Sequence, residues 1–241
     1  GYGGNGGYGG NGGSADKDGD GGDAGDGGNG CAGGAIFNVG SGTITVTSSS
    51  IINNHTCSGG TGGTGGSGHD NGDDGRNGYV GIGGAVGSIS DSTSNYINFN
   101  RIIGNSQFQV QSYEGWVDAT LNWWGSNDNP DVNVEGNVSY DPWIILTIKP
   151  TPNPATHIDY NSTYEVTADL RYDSNGNYHG PTGGHVPDGM LVTFTTTWGS
   201  ITSSSSTTDG VATATYQANG KTTAPNPVTV TTKTDDQTVD T

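Results

Sequence analysis

Asp16, Asp18 and Asp20 stand at alternate positions with Gly21 directly after them, the first half of a calcium-binding loop. Position 12 of such a loop needs a bidentate Glu, and Gly27 stands there instead. Calcium is therefore the one metal for which the chain offers ligands, with a solvated acidic stretch as the alternative. No other cofactor is expected. Cys31 and Cys57 lie 26 residues apart, and an oxidising location favours a disulfide between them over a buried reduced pair. Closing that loop would stabilise by about 3–4 kcal/mol on the chain-entropy account. Asn54, Asn137 and Asn161 each open an Asn-X-Ser/Thr sequon and are candidate glycosylation sites. His55, His69, His157, His179 and His185 fall in turn-like contexts without metal-ligand spacing and read as solvated loop residues. Asp91, Glu114 and Asp118, with Arg101 as the one base, are too few for the aligned carboxylates of a polysaccharide lyase. No nucleophile elbow accompanies them, and the many Gly-x-Gly-x-x-Gly matches lack the flanking strand and helix of a dinucleotide site.

The chain has 241 residues, 29% hydrophobic, with 24 acids against 7 bases and a net charge of −17. Such a surface repels nucleic acid, so DNA and RNA are excluded as partners. It suits an exported protein. No apolar run is long enough for a membrane span, and no signal peptide opens the chain. A start in the middle of a repeat is expected of a trimmed piece of a longer polypeptide whose export signal has gone.

Glycine recurs every third residue from 1 to 34, interrupted at Asp16 and Cys31, and again from 60 to 87, interrupted at His69. A period of three fits a polyproline-II-type helix, and the absence of Pro from residues 1–87 argues against collagen. One reading is a flexible linker. The other is a bundle of polyglycine-II strands in which bare backbones hydrogen-bond to one another, while Tyr2, Asn5, Tyr8 and Asn11 point outward to a neighbouring copy. The second reading makes Gly63, Gly66 and Gly72 packing positions.

The elements that would hold these tracts are short. Gly33–Ile36 leading to Ser50–Thr56 parallels Gly83–Val86 leading to Arg101–Ser106 at an offset of 50 to 51, so each glycine tract belongs to a repeated module. Runs at 43–47, 50–53, 96–99 and 101–104, separated by Asn, Gly and Ser, read as rungs of a parallel β-helix with Asn ladders at its corners, in preference to an antiparallel sandwich. Residues 107–121 supply the last rungs and Trp123-Trp124 an end cap. Past Pro142 the text turns Thr- and Val-rich, with turn signals at Asn175-Gly176, Asp188-Gly189, Asp209-Gly210 and Asn219-Gly220. Seven short alternating strands there fit an immunoglobulin-like sandwich. The expected fold is thus all-β: a right-handed parallel β-helix with polyglycine-II-like insertions over 1–145, then an Ig-like β-sandwich over 146–241, with the boundary near 141–150.

The run Ala119-Thr120-Leu121-Asn122-Trp123-Trp124-Gly125-Ser126-Asn127, with Pro130 and Tyr140-Asp141-Pro142-Trp143 after it, resembles the adhesin-like surface proteins of methanogenic archaea. The runs His185–Phe194 and Thr208–Ala214 resemble the invasin/intimin type of bacterial Ig-like domain. The resemblance covers roughly 33–56 and 83–241, while the long glycine tracts depart from the ordinary repeat. It implies a non-enzymatic extracellular protein of the cell surface, acting in adhesion or as a subunit of a fibre or sheath. Its expected partners are other copies of itself, other surface proteins and glycans. Two rival readings are a carbohydrate-binding or polysaccharide-degrading β-helix protein with an Ig-like spacer, and an ice- or glycan-binding module.

Overall fold

The computed structural model describes residues 4–9, 14–15, 17–18, 20–31, 33–67, 69–106, 108–151, 158–220 and 223–241. The protein is all-β, with two short 3₁₀ turns at Pro130–Asn133 and Pro181–Gly183. Up to Ser139 the paired strands beyond the glycine tracts are parallel, and from Ile144 onward they are antiparallel.

In the parallel part the chain returns repeatedly to the same place. Ile36–Asn38 lies beside Val86–Ser88, which lies beside Val110–Ser112, which in turn meets Val134–Gly136. Thr45–Thr47 pairs with Tyr96–Asn98, and Ser50–Ile52 with Arg101–Ile103. Parallel registration puts like on like. Ile51 sits over Ile102 and Val86 over Val110, all buried, so each turn covers the apolar residues of the one before it. Val134–Ser139 forms a further strand after the Trp-Trp pair, so the pair does not end the parallel stack as the sequence reading had it.

Buried asparagines turn the corners. Ser48, Phe99 and Leu121 all adopt left-handed backbone conformations, with φ of 47°, 58° and 58°, and the residues that follow are Ser49, Asn100 and Asn122. Asn122 Oδ1 accepts from the Asn100 backbone N–H at 2.8 Å, and Asn100 Oδ1 accepts from the Ser49 N–H at 3.0 Å. Asn100 Nδ2 donates to the carbonyls of Val46 and Asn98. At the next corner Asn105 Oδ1 accepts from the Asn54 N–H at 2.9 Å. A fully buried amide is tolerated here because each of its polar atoms has a partner.

The antiparallel part holds two four-stranded sheets, ordered Ile144–Thr151, Thr163–Asp173, Val211–Gln217, Ser200–Ile201 and Ser204–Ser206, Leu191–Thr196, Val230–Thr234, Gln237–Asp240. Strict alternation drives them together. Ala212, Ala214 and Tyr216 are buried between exposed Thr213 and Thr215, and Val192 and Phe194 face them from the other sheet within one apolar cluster.

The two parts share a junction. Trp124 packs into the apolar cluster of the parallel strands and Trp123 into that of the antiparallel sheets. Trp123 Nε1 donates to Asp235 Oδ2 at 2.7 Å, and the Arg101 guanidinium also binds this carboxylate, which is 7% exposed. The Phe99 and His179 rings pack in an edge-type arrangement, centroids 5.9 Å apart, and His179 belongs to a turn organised by buried Asp173. The Asp173 carboxylate accepts from the N–H groups of Asn175 and Asn177, from Asn177 Nδ2 and from His179 Nε2 at 2.9 Å. Burial opposes its ionisation, but these hydrogen bonds, led by that from His179, hold its pKa below the usual carboxylate value. Its contribution is therefore present above the unfolded pKa, about 3.9, and is lost as pH falls through the lower folded value. Asp173→Asn should destabilise by about 2 kcal/mol at neutral pH. Thermal unfolding of wild type and variant followed from pH 7 to about 2 should show the gap closing below about pH 4.

Candidate functional site

Four glycine-rich segments, 4–9, 20–31, 57–67 and 70–81, lie against one another outside the parallel strands. Their N–H groups sort by threes, as a three-residue turn requires. In the second segment Gly21, Ala24, Gly27 and Gly30 donate to Asp70, Asp73, Arg76 and Tyr79 of the fourth, while Gly25 and Gly28 donate to Gly7 and Gly4 of the first. The third segment gives Gly60, Gly63 and Gly66 to Gly28, Gly25 and Gly22 of the second, and receives from Gly72, Gly75, Gly78 and Gly81 of the fourth. Gly6 and Gly9 of the first donate to Thr61 and Thr64. The second and third segments thus each touch the other three, and the first and fourth touch two each.

Close approach is what requires glycine here. A Cβ on Gly63 would stand 2.0 Å from the Gly7 carbonyl oxygen, one on Gly75 2.0 Å from that of Gly25, and one on Gly62 1.9 Å from that of Gly75. The Cα–H bonds aimed at those oxygens add weak contacts to the N–H···O bonds. No apolar core is needed for this order.

The third residue of each triplet completes the bonding. Asp20, Asp23, Asp26 and Asn29 each offer Oδ1 to the N–H of the residue fifty positions on, namely Asp70, Asp73, Arg76 and Tyr79, at 2.7 to 3.3 Å. Asp74 and Asn77 do the same for Gly65 and Gly62, and Asn5 for Thr61. Asp and Asn interchange in this role because the bond needs only a short side chain ending in an sp² oxygen. Where Asp fills this role, the same bond adds negative charge to the tracts.

The candidate site residues fall as follows. Asp16 lies outside the described residues, Asp18 sits in a two-residue strand with Lys17, and Asp20 is exposed and engaged with the Asp70 N–H. Of the calcium set, Asp20 alone has a described side chain. Cys31 and Cys57 are joined, with Cα atoms 5.0 Å apart, where the second and third segments leave the parallel strands. Asn137 and Asn161 are exposed, whereas Asn54 is half-buried with Nδ2 donating to Asn105 Oδ1, leaving it less open to a glycan. His157 lies outside the described residues. His185 comes within 3.6 Å of both Asp188 and Asp209, and Asp188 Oδ1 accepts the Asp209 N–H at 2.8 Å. No local spacing announces this grouping, which draws in Asp209 from far along the chain, so His185 is not the solvated loop residue expected. On the parallel strands, Asp118 is bonded to Asn98 and Thr120, and Arg101 to Asp235.

No protein-family model, curated protein or solved structure matches this chain.

Gly75→Ala should loosen the layer and leave the antiparallel sheets folded, because the new methyl meets backbone that cannot swing aside. Limited proteolysis should then cleave within 57–81 at least ten times faster than in wild type, with the near-ultraviolet signal of the tryptophans unchanged.

Proposed function

We propose that this chain is an extracellular structural or adhesive protein of a cell surface, a subunit of a surface fibre or sheath. In this reading the parallel strands are coils of a right-handed β-helix, the glycine segments are polyglycine-II arms grown out of two of its coils, and the antiparallel sheets are an Ig-like β-sandwich beginning near residue 146. The observation that carries the reading is the glycine layer. A hydrogen-bonded slab of close-packed backbone offers stiffness and flat packing faces, which suit a structural role. The resemblance to adhesin-like surface proteins of methanogenic archaea agrees with it, as do the acidic surface and the joined cysteines.

The rival carbohydrate-active reading is supported less. It needs a free base beside aligned carboxylates, and Arg101, the base on the rungs, is held by Asp235. Electron microscopy of native surface material labelled for this chain tests the proposal. Label along ordered filaments or sheets is expected, together with no release of reducing sugar from a panel of polysaccharides. Dispersed particles with measurable polysaccharide turnover would replace the structural reading with the enzymatic one.

A further inference from the structure

Among the described residues, His185, Asp188 and Asp209 form a group of three metal-ligating side chains, one ligand atom of each lying within 4.8 Å of the others. The ring of His185 has a fixed orientation. Its Nδ1 lies 2.8 Å from the carbonyl oxygen of Val186, which can only accept, so Nδ1 carries a proton and donates it. In the neutral ring Nε2 then holds the lone pair. Nε2 stands 3.6 Å from Asp209 Oδ1, too far for a hydrogen bond, and has no other polar partner among the described residues. A lone pair and a carboxylate oxygen facing each other repel. Their spacing is instead that of two ligands on one small cation: with bonds of about 2.1 Å, neighbouring ligand atoms of a tetrahedral ion stand about 3.4 Å apart.

Charge points the same way. Asp188 and Asp209 are both exposed, and among the described residues neither pairs with a Lys or Arg. Arg171, whose stem flanks Gly210 beside His185, is already engaged by Asp169. Two carboxylates therefore face a single imidazole, which leaves the group negative even if the ring is charged. Asp188 Oδ1 accepts the Asp209 N–H at 2.8 Å, which holds the two turns together and leaves Oδ2 open.

We propose that His185 Nε2, Asp188 and Asp209 bind a divalent transition-metal ion of the zinc class, with water completing its shell on the exposed side. The nitrogen ligand selects that class, since calcium takes six to eight oxygens and magnesium keeps most of its own water. The Val186 carbonyl on Nδ1–H is the outer partner that such a ligand needs to hold its tautomer. The position gives the ion a mechanical role. The His185 carbonyl accepts from Ser48 Oγ at 2.7 Å, at a corner of the first parallel turn, and a Cβ on Gly184 would lie 2.5 Å from the Phe99 ring. Val186 is fully buried in the antiparallel core. An ion joining this segment to the Asp209 turn therefore stiffens the piece of the antiparallel part on which the parallel strands rest.

The test titrates the full chain, stripped with chelator, with zinc chloride in a calorimeter. One ion per chain should bind, at least ten-fold more weakly in Asp209→Asn and in Asp188→Asn, while Asp20→Asn matches wild type. Asn at 188 keeps the oxygen that accepts the Asp209 N–H, so weaker binding there reports the lost ligand and not a lost turn. Nitrogen NMR should show zinc shifting the His185 Nε2 resonance with Nδ1 still protonated, and zinc should raise the thermal midpoint of wild type more than that of either variant. Three results would overturn the inference. Equal binding by both variants would place the ion elsewhere. No uptake at millimolar zinc would leave His185 an ion-paired histidine and nothing more. Calcium held as tightly as zinc by the same residues would remove the role of the imidazole. None of these outcomes touches the fibre reading, which rests on the glycine layer.

Discussion

Everything distinctive in this molecule depends on how closely two backbones can come when neither carries a Cβ. Within the glycine layer a methyl group at Gly63 or Gly75 would stand 2.0 Å from a neighbouring carbonyl oxygen, far inside van der Waals contact. That closeness lets each segment form N–H···O bonds in up to three directions, one for each residue of its turn. Ordering glycine is entropically expensive, more than 1 kcal/mol per residue, and burial of apolar area cannot offset it where there is almost none. The stabilisation must come from the density of backbone hydrogen bonds, each modest, and from a scaffold that holds the segments in register.

The scaffold's repeat and the layer's repeat are one and the same. Gly21, Gly27 and Gly30 donate to carbonyls forty-nine positions on, and so do Gly34 and Ile36 where the tract passes into the first parallel strand. The side-chain bonds from Asp20 to Asn29 share the offset of fifty that pairs Ile36 with Val86. The layer is a continuation of the parallel pairing by segments too poor in side chains to form strands. The Cys31–Cys57 bond sits at that transition and holds the roots of two segments together, which lowers the chain entropy that ordering them must overcome.

Much of this was legible in the residues. The three-residue glycine beat, the fifty-residue internal repeat, the Asn corners and the cysteine pair all carry local signatures with a direct physical meaning. Other parts were not. Trp123 and Trp124 looked like a cap because indoles cover area, but adjacent residues on an extended chain point opposite ways, and each indole enters a different apolar cluster. Val134–Ser139 was missed as a further strand because Gly136, at φ 82°, and the charged Glu135 break the apolar alternation. The role of Asp20, Asp23 and Asp26 was also hidden. Acids at regular spacing suggest a cation, while their actual partners are N–H groups fifty residues away that no local pattern reveals.

Amide hydrogen exchange read residue by residue over 57–81 tests the close-packed backbone most directly. Protection should recur with a period of three, strong at Gly60, Gly63, Gly66, Gly72, Gly75 and Gly78, whose N–H groups are bonded to other segments, and weak at the outward Asp74 and Asn77. Uniformly fast exchange across these residues would show the tracts to be flexible coil and would contradict the account.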